Sequence, residues 1–364
     1  MKIRRLTWRA YRIPFRRAFV TSAGAQALRE GFIVRLEAEG GQYGLGEIAP
    51  LSVKTMRIVA DQLRLFERRI TGIDVHGIAR AARRLDALKD ISAAIRCGLD
   101  IAACDLLAKE AGVPASDLLG GRRRRRVPVN ATISADTPPL AAQAARRAVE
   151  NGFRCVKLKV GMMGSIAAEC ELVGAVRNAI GADTLLRLDA NQAWDIDAAI
   201  DYIRKLECYN LEFVEQPVAA GNIAGLAAVR CAVSTAIAAD ESVTGLGPAK
   251  KIIGHDAADL LVIKPMIVGG LRPAMEIIHL ALSHEVEPVI TTTIDSGVGI
   301  AAALHLAASF EGTRAYGLAT AELLECDLTL STPQPHEGQM VCPDTPGLGV
   351  EIDELKAAPY LDRV

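Results

Sequence analysis

Two lysines stand one residue apart in the apolar run VKLKVG at 156–161. In a strand, side chains two apart share a face, so Lys157 and Lys159 would enter one space while Val156, Leu158 and Val160 face the other way. Three carboxylates and a third lysine follow at a regular interval: Asp189 in LRLDAN, Glu215 in FVEQP, Asp240 in AADES and Lys264 in VIKP, in steps of 26, 25 and 24 residues. Each step is about one strand-plus-helix unit. Any one of these acids could simply cap the helix that follows its strand. Three in step, brought to one place, would repel one another unless a cation neutralised them. Oxygen donors of this kind suit Mg²⁺, for which Mn²⁺ could substitute, and Mg²⁺ keeps coordination positions for water or substrate.

The lysines complete the chemistry. A carboxylate substrate held at such a metal would have an amine on each side if Lys159 and Lys264 faced one another. That suits removal of a proton alpha to the carboxylate, with the metal stabilising enediolate charge and a lysine accepting the proton. An unperturbed lysine, with a pKa of about 10.4, is a poor base at neutral pH. A neighbouring ammonium disfavours the charged form, so Lys157 is read as tuning Lys159.

The elements that would position these residues are eight strands alternating with helices. Strand candidates are 127–133, 155–160, 184–191, 211–217, 236–242, 259–265, 287–295 and 315–320. This rhythm predicts a (β/α)₈ barrel, in which functional groups sit at the C-terminal ends of strands. Strands two and six lie across such a barrel, which sets Lys159 opposite Lys264. Asn191, Glu241, Asp295 and Thr320 end strands three, five, seven and eight and are expected to border the substrate. Residues 32–50 read as a hairpin around Gly40-Gly41, and 54–112 turn helical in period. The expected organisation is an α+β capping domain over 1–122, a barrel over 123–322, and a tail, 323–364, returning to the cap.

At 364 residues, half of them apolar, the chain suits one large α/β domain with a smaller companion. A formal net charge of −1 gives no electrostatic case for nucleic acid or an anionic membrane, so the expected partner is a small-molecule carboxylate; a homo-oligomer is left open. The run Arg122 to Arg126 is read as a solvated or salt-bridged connector at the domain junction. No apolar segment follows the basic N-terminus, so a cytoplasmic protein is expected. The eight scattered cysteines lack metal-ligand spacing and are read as reduced core residues. His305 is read as a packed helix residue, and Trp194 as a ring buried beneath the site.

The K-x-K of VKLKVG, together with DANQAW, EQP, ADES, IKP and the front-domain run GLDIAACDLLAKEAGVPASDLLGG, resembles the enolase superfamily in its muconate-lactonising subgroup, over nearly the whole chain. The resemblance implies a capping domain over a barrel, Mg²⁺ on Asp189, Glu215 and Asp240, and acid/base roles for Lys159 and Lys264. A mandelate-racemase-like member would carry a histidine at the end of strand seven, where this chain has ITTTIDSG. Dipeptide epimerases carry an Asp-x-Asp at strand eight, where this chain has YGLAT. REGFIVRL, GEIAPL and GLAT resemble o-succinylbenzoate synthases of menaquinone biosynthesis, which makes dehydration the first expectation; N-acylamino acid racemase, dipeptide epimerase and muconate-type cycloisomerase are the alternatives. A non-catalytic metabolite-binding barrel would be marked by loss of Lys159 or Lys264, and both are present. By the same resemblance, segments 21–31 and 50–55 would be lids, with Arg29 and residues Ser52 to Lys54 beside the substrate.

Overall fold

Alternation of apolar residues in the first fifty positions produces an antiparallel sheet in the computed structural model, which describes residues 1–21, 24–51, 56–82, 89–135 and 137–362. Its strands, in spatial order, are β1 (Ile3–Thr21), β2 (Gly24–Ala38) and β3 (Tyr43–Ile48). Phe32, Val34, Leu36 and Ala38 share the buried face of β2. Three helices follow, α1 (Met56–Ile70), α2 (Ile78–Ala82) and α3 (Lys89–Ala111). In α1, Val59, Leu63, Phe66 and Ile70 recur every three or four residues and form its buried stripe. Helix α3 lies against β3 so closely that a Cβ on Gly46 would come within 1.9 Å of the Gly98 carbonyl oxygen. Only glycine permits that approach.

The expected first lid is largely regular structure: residues 24–31 lie in β2, with Arg29 paired to Ile13 and Glu30 to Arg12. Residues 22, 23 and 52–55, including Ser52, Val53 and Lys54, lie outside the described residues.

After α4 (Ala115–Leu118) the chain enters β4 (Arg126–Pro128) and then the barrel. Its units are β5 (Ala131–Ile133) and α5 (Pro138–Glu150), β6 (Cys155–Lys159) and α6 (Ile166–Ile180), β7 (Leu185–Asp189) and α7 (Ile196–Leu206), β8 (Leu211–Glu215) and α8 (Ile223–Ala232). Then come β9 (Ile237–Ala239) with α9 (Leu246–Gly254), β10 (Leu260–Ile263) with α10 (Pro265–Val268) and α11 (Leu271–Leu282), and β11 (Glu287–Ile290) with α12 (Gly297–Ala308). Strands β5 to β11 run parallel in sequence order. Parallel bridges from Thr291 to Gly317 and from Val129 to Tyr316 tie residues 316–317 to both edges and close the sheet.

Two expected strands differ. Residues 126–128 pair antiparallel with β12 (Gln339–Val341), so of the first expected strand 131–133 pairs with β6 in the barrel sheet and Val129 adds its bridge to Tyr316. The eighth is reduced to its two bridges. At 126–128 the returning tail supplies the backbone partners, and at 316–317 the bridges to Val129 and Thr291 do so.

The tail also meets the front of the chain through bridges Tyr11 to Leu361, Phe15 to Leu324 and Pro114 to Gly347. All of α12 is buried, as suits a helix apolar all round, because it packs against α4 and β3 as well as α11 and β11. Within it, His305 Nδ1 accepts from the Ser116 backbone N–H at 3.2 Å and Nε2 lies 3.1 Å from the Leu348 carbonyl. Burial pushes its pKa down to about 4, so it is a neutral packing residue. Arg122 and Arg125 pair with Asp344, and the Arg124 guanidinium sits 5.6 Å from the Tyr316 ring centroid, as a salt-bridged connector requires. The cysteines are free; Cys97, Cys104, Cys155 and Cys342 are buried, whereas Cys208 and Cys231 are exposed. Among the described residues no helix is long and apolar enough to cross a membrane.

Candidate active site

Parallel strands in register carry their last inward side chains to one level. Lys159 pairs with Asp189 across β6 and β7, and Asp189 with Glu215 across β7 and β8. Asp240 follows β9 directly. Ligand atoms from Asp189, Glu215 and Asp240 all lie within 4.8 Å of one another, and all three residues are buried.

The lysines surround this triad. Lys157 Nζ lies 2.9 Å from Asp189 Oδ2 and 3.0 Å from Glu215 Oε1. Lys159 Nζ donates to the same Asp189 Oδ2 at 2.6 Å and to Asn191 Oδ1 at 2.7 Å. On the far side, Lys264 Nζ lies 2.6 Å from Asp240 Oδ2. Asn191 Nδ2 donates to Glu241 Oε1 at 3.0 Å, while Glu241 Oε2 is buried without a hydrogen-bond partner.

Three ammonium groups therefore face four carboxylates in a buried space. The surplus negative charge shows in the acids. Burial raises the Glu215 pKa first and the Asp189 charge raises it further, to about 8. Burial would raise Asp189 also, but Lys157 and Lys159 overcome it and hold that carboxyl well below its ordinary range. Burial and Asp240 push Glu241 up. A divalent cation together with one substrate carboxylate would bring the set to neutrality, and three hard oxygen donors are what Mg²⁺ takes, so the residues fit the metal.

Lys157 behaves differently from a simple tuner. Burial pulls its pKa down, but Asp189, Glu215 and Asp240 outweigh burial and hold it charged. It thus supplies the fixed positive charge expected beside Lys159, yet both lysines share one Asp189 oxygen, which offsets their repulsion.

Arg29 and Asp295, expected against the substrate, are engaged at the seam between cap and barrel. Arg29 donates to the carbonyls of Ala49, Pro50 and Ile294 at 2.6, 2.9 and 2.9 Å, and lies 3.7 Å from Asp295. Asp295 also accepts from Thr293 Oγ1 at 2.5 Å. Their neighbour Ile294 has φ +63°, a strained value for a β-branched residue. Glu47 of β3 reinforces the seam by accepting from the N–H groups of Ser296 and Gly299 at 2.9 and 2.8 Å, at the start of α12. Thr320 is buried with its hydroxyl 2.9 Å from that of Thr292. Trp194 is buried shortly after Asp189 in sequence and meets Tyr202 edge-on.

Sequence reasoning passed over Gln216. Fully buried, it accepts from the Asp240 N–H at 2.9 Å and the Ser242 N–H at 3.2 Å, and donates to the Val218 carbonyl at 2.9 Å. It fixes the backbone that presents Asp240. Its only sequence signal is its place directly after Glu215. Thr291 was also passed over; its buried hydroxyl has no partner.

With this geometry in view, comparison with known proteins is informative. The family model described as "Enolase C-terminal domain-like" matches residues 139–356, and the "Mandelate racemase / muconate lactonizing enzyme, N-terminal domain" matches residues 3–120. The chain is 34% identical over 331 residues to the hydrophobic dipeptide epimerase of Enterococcus faecalis, spanning 88% of this chain and 93% of that one. It is 38% identical over 237 residues to the o-succinylbenzoate synthase of Thermobifida fusca, spanning 65% and 71%. The solved dipeptide epimerase of E. faecalis, complexed with Mg and L-Leu-L-Tyr, superposes with a TM-score of 0.90 at 32% identity over 96% of this chain and 100% of that one. The relatives therefore include isomerases and a lyase, and do not single out dehydration. Barrel, cap, strand-end acids and family matches agree: the chain is an enzyme of the enolase superfamily, within its mandelate racemase/muconate lactonizing group.

Proposed function

We propose that the enzyme is a Mg²⁺-dependent isomerase that moves the proton on the α-carbon of an amide-linked amino acid, as in a dipeptide, from one face to the other. The observation that carries this reading is the placement of Lys159 on the Asp189 side of the acid triad and Lys264 on the Asp240 side. One amine takes the α-proton and the other returns a proton to the opposite face, which inverts the centre. Asn191 holds the Lys159 amine in place, and Lys157 keeps a fixed positive charge in the same space. Asp189, Glu215 and Asp240 would hold Mg²⁺, which would supply positive charge against the substrate carboxylate; the E. faecalis relative was solved with Mg.

Dehydration to o-succinylbenzoate is the second reading. It is favoured by the T. fusca match and by a strand-eight end where Thr320 pairs with Thr292. In support of that local difference from dipeptide epimerases, Asp327, just past strand eight, is engaged by the Gly297 and Thr329 N–H groups at 2.7 and 3.0 Å.

A side-by-side assay decides between them: dipeptides and N-acylamino acids followed by polarimetry, and the o-succinylbenzoate precursor followed by ultraviolet absorbance, each with and without Mg²⁺. Inversion of an amide-linked amino acid only with Mg²⁺ present is the expected result. Dehydration of the precursor without inversion of any panel member would replace this reading with the second.

A further inference from the structure

Gln216 joins the exits of the three strands that lead to Asp189, Glu215 and Asp240. Its backbone N–H donates to the Ala238 carbonyl of β9 at 2.8 Å, and its carbonyl accepts the Gln192 N–H, from the turn after β7, at 2.8 Å. Its side chain reaches further along the β9 exit. Besides its bonds to the Asp240 and Ser242 N–H groups and to the Val218 carbonyl, Nε2 donates to Ser242 Oγ at 3.0 Å. The Ser242 hydroxyl in turn donates to the Ala220 carbonyl at 2.9 Å, and Gln192 Oε1 accepts the Ala220 N–H at 2.9 Å. The segment 216–220 that leaves β8 is thus stitched to the β7 exit on one side and to the β9 exit on the other. Gln216 has φ +41°, a left-handed value that favours glycine, yet glycine would have no side chain to make these bonds.

We propose that Gln216 is a positioning residue for the metal: by tying these three exits together it holds the acid triad at the spacing of a small octahedral cation, and so sets a preference for Mg²⁺ over Ca²⁺. The inference rests on the metal site of the proposed function and holds for either reading of the reaction. Ligand oxygens of the triad lie within 4.8 Å of one another, so their charges push the strand ends apart and the backbone must resist. A buried amide suits that task because it donates and accepts without adding charge. A carboxylate in its place would only accept, and would add to the repulsion. Mg²⁺ demands near-ideal octahedral geometry at about 2.0–2.1 Å, whereas Ca²⁺ accepts about six to eight oxygens in flexible arrangements at 2.3–2.6 Å. Loosening the stitch therefore penalises the smaller ion more.

The test is calorimetric titration of the metal-free protein with Mg²⁺ and with Ca²⁺, in the parent and in Gln216→Met, which keeps the length of the side chain but none of its hydrogen bonds. The Kd for Mg²⁺ should rise by about 10- to 100-fold. The Kd for Ca²⁺ should rise by a smaller factor, so that the preference for Mg²⁺ narrows. Thermal melts of the metal-free proteins run beside the titrations. A merely structural role would lower the melting temperature and leave both Kd values of the folded protein unchanged, which would overturn the proposal. Equal loss for the two ions would overturn it as well. Should Gln216→Met not fold, Ser242→Ala, which removes the hydroxyl bracing the Gln216 amide, should weaken Mg²⁺ by about 2- to 10-fold and Ca²⁺ by less. Mg²⁺ affinity unchanged in a folded Ser242→Ala would then overturn the proposal. A parent protein that does not bind Mg²⁺ would overturn the metal assignment of the proposed function, and this inference with it.

Discussion

Among the described residues, the two ends of the barrel strands each carry a charge cluster, and the two are built on opposite principles. At the N-terminal end, Arg187 donates to Glu212 through Nε at 2.6 Å and Nη2 at 3.3 Å, and to the Ala315 carbonyl at 2.7 Å. Arg314 adds a 2.7 Å bond to Glu212 and two bonds to Glu287, at 2.5 and 2.9 Å. Planar guanidinium forks match planar carboxylates, and the cluster is balanced without any outside ion. Burial tends to raise the Glu212 pKa, but Arg187 and Arg314 override it and hold the carboxyl below its usual range.

At the C-terminal end the cations are lysines, which act as point charges on flexible stems. The acids outnumber them, Glu215 is pushed up to about 8, and Glu241 Oε2 has no partner. The first cluster is complete, whereas the second is completed only by what it binds. A structural ion network and a reactive one can thus be told apart by whether the protein alone balances the charge.

The largest expected consequence concerns the reactive end. Lys159→Ala should lower kcat by about 10²–10⁴-fold, the usual worth of a positioned acid or base, while leaving thermal unfolding nearly unchanged because Asp189 keeps Lys157 as a partner. Steady-state kinetics beside a melting curve checks this. Turnover within a few-fold of the parent would remove Lys159 from the chemistry.

The converse applies at the other end. Arg187→Met should cost about 3–5 kcal/mol of stability by leaving Glu212 partly unpaired, with kcat per folded molecule held within a few-fold. Urea unfolding and active-site titration would show it. A large loss of kcat with little loss of stability would mean the two clusters are not functionally separate.

The smallest effect is in pH dependence, and its sign differs between the ends. Glu215 has a folded pKa above its unfolded one, so without metal the native state binds more protons and stability should fall as pH rises from about 4.5 toward 8. Glu212 has a lowered folded pKa, so its contribution is present above its unfolded pKa and is lost as pH falls through the folded one. Urea unfolding of metal-free protein should therefore show Glu215→Gln gaining on the parent by about 1–2 kcal/mol between pH 5 and 8, the coupled acids sharing the titration. A gain that does not grow with pH would contradict the assignment.

The reactive end was legible in the sequence because its residues are of unusual type for strand ends and recur once per βα unit, from Asp189 through Glu215 and Asp240 to Lys264. The other end was not. Arg187, Glu212, Glu287 and Arg314 become neighbours only when the barrel closes, and nothing local marks them. The contact between Arg29 and Asp295 was hidden for a related reason: docking of β2 and β3 onto the end of β11 brings them together at a seam. Pairing of 126–128 with 339–341 depends on a contact more than 200 residues apart, which no local pattern encodes. Local propensity located strands, and long-range closure decided which ones joined the barrel.

The central claim is that two lysines on opposite sides of one acid triad share the proton transfer. Its most direct measurement is stereospecific α-proton exchange in D₂O with the Mg²⁺-loaded Lys159→Ala and Lys264→Ala variants, each offered both epimers of an aliphatic dipeptide. Each variant should lose exchange with the epimer its missing lysine deprotonates and keep exchange with the other. If the two variants lost exchange with the same epimer, or if either kept exchange with both, the two-base account would be contradicted.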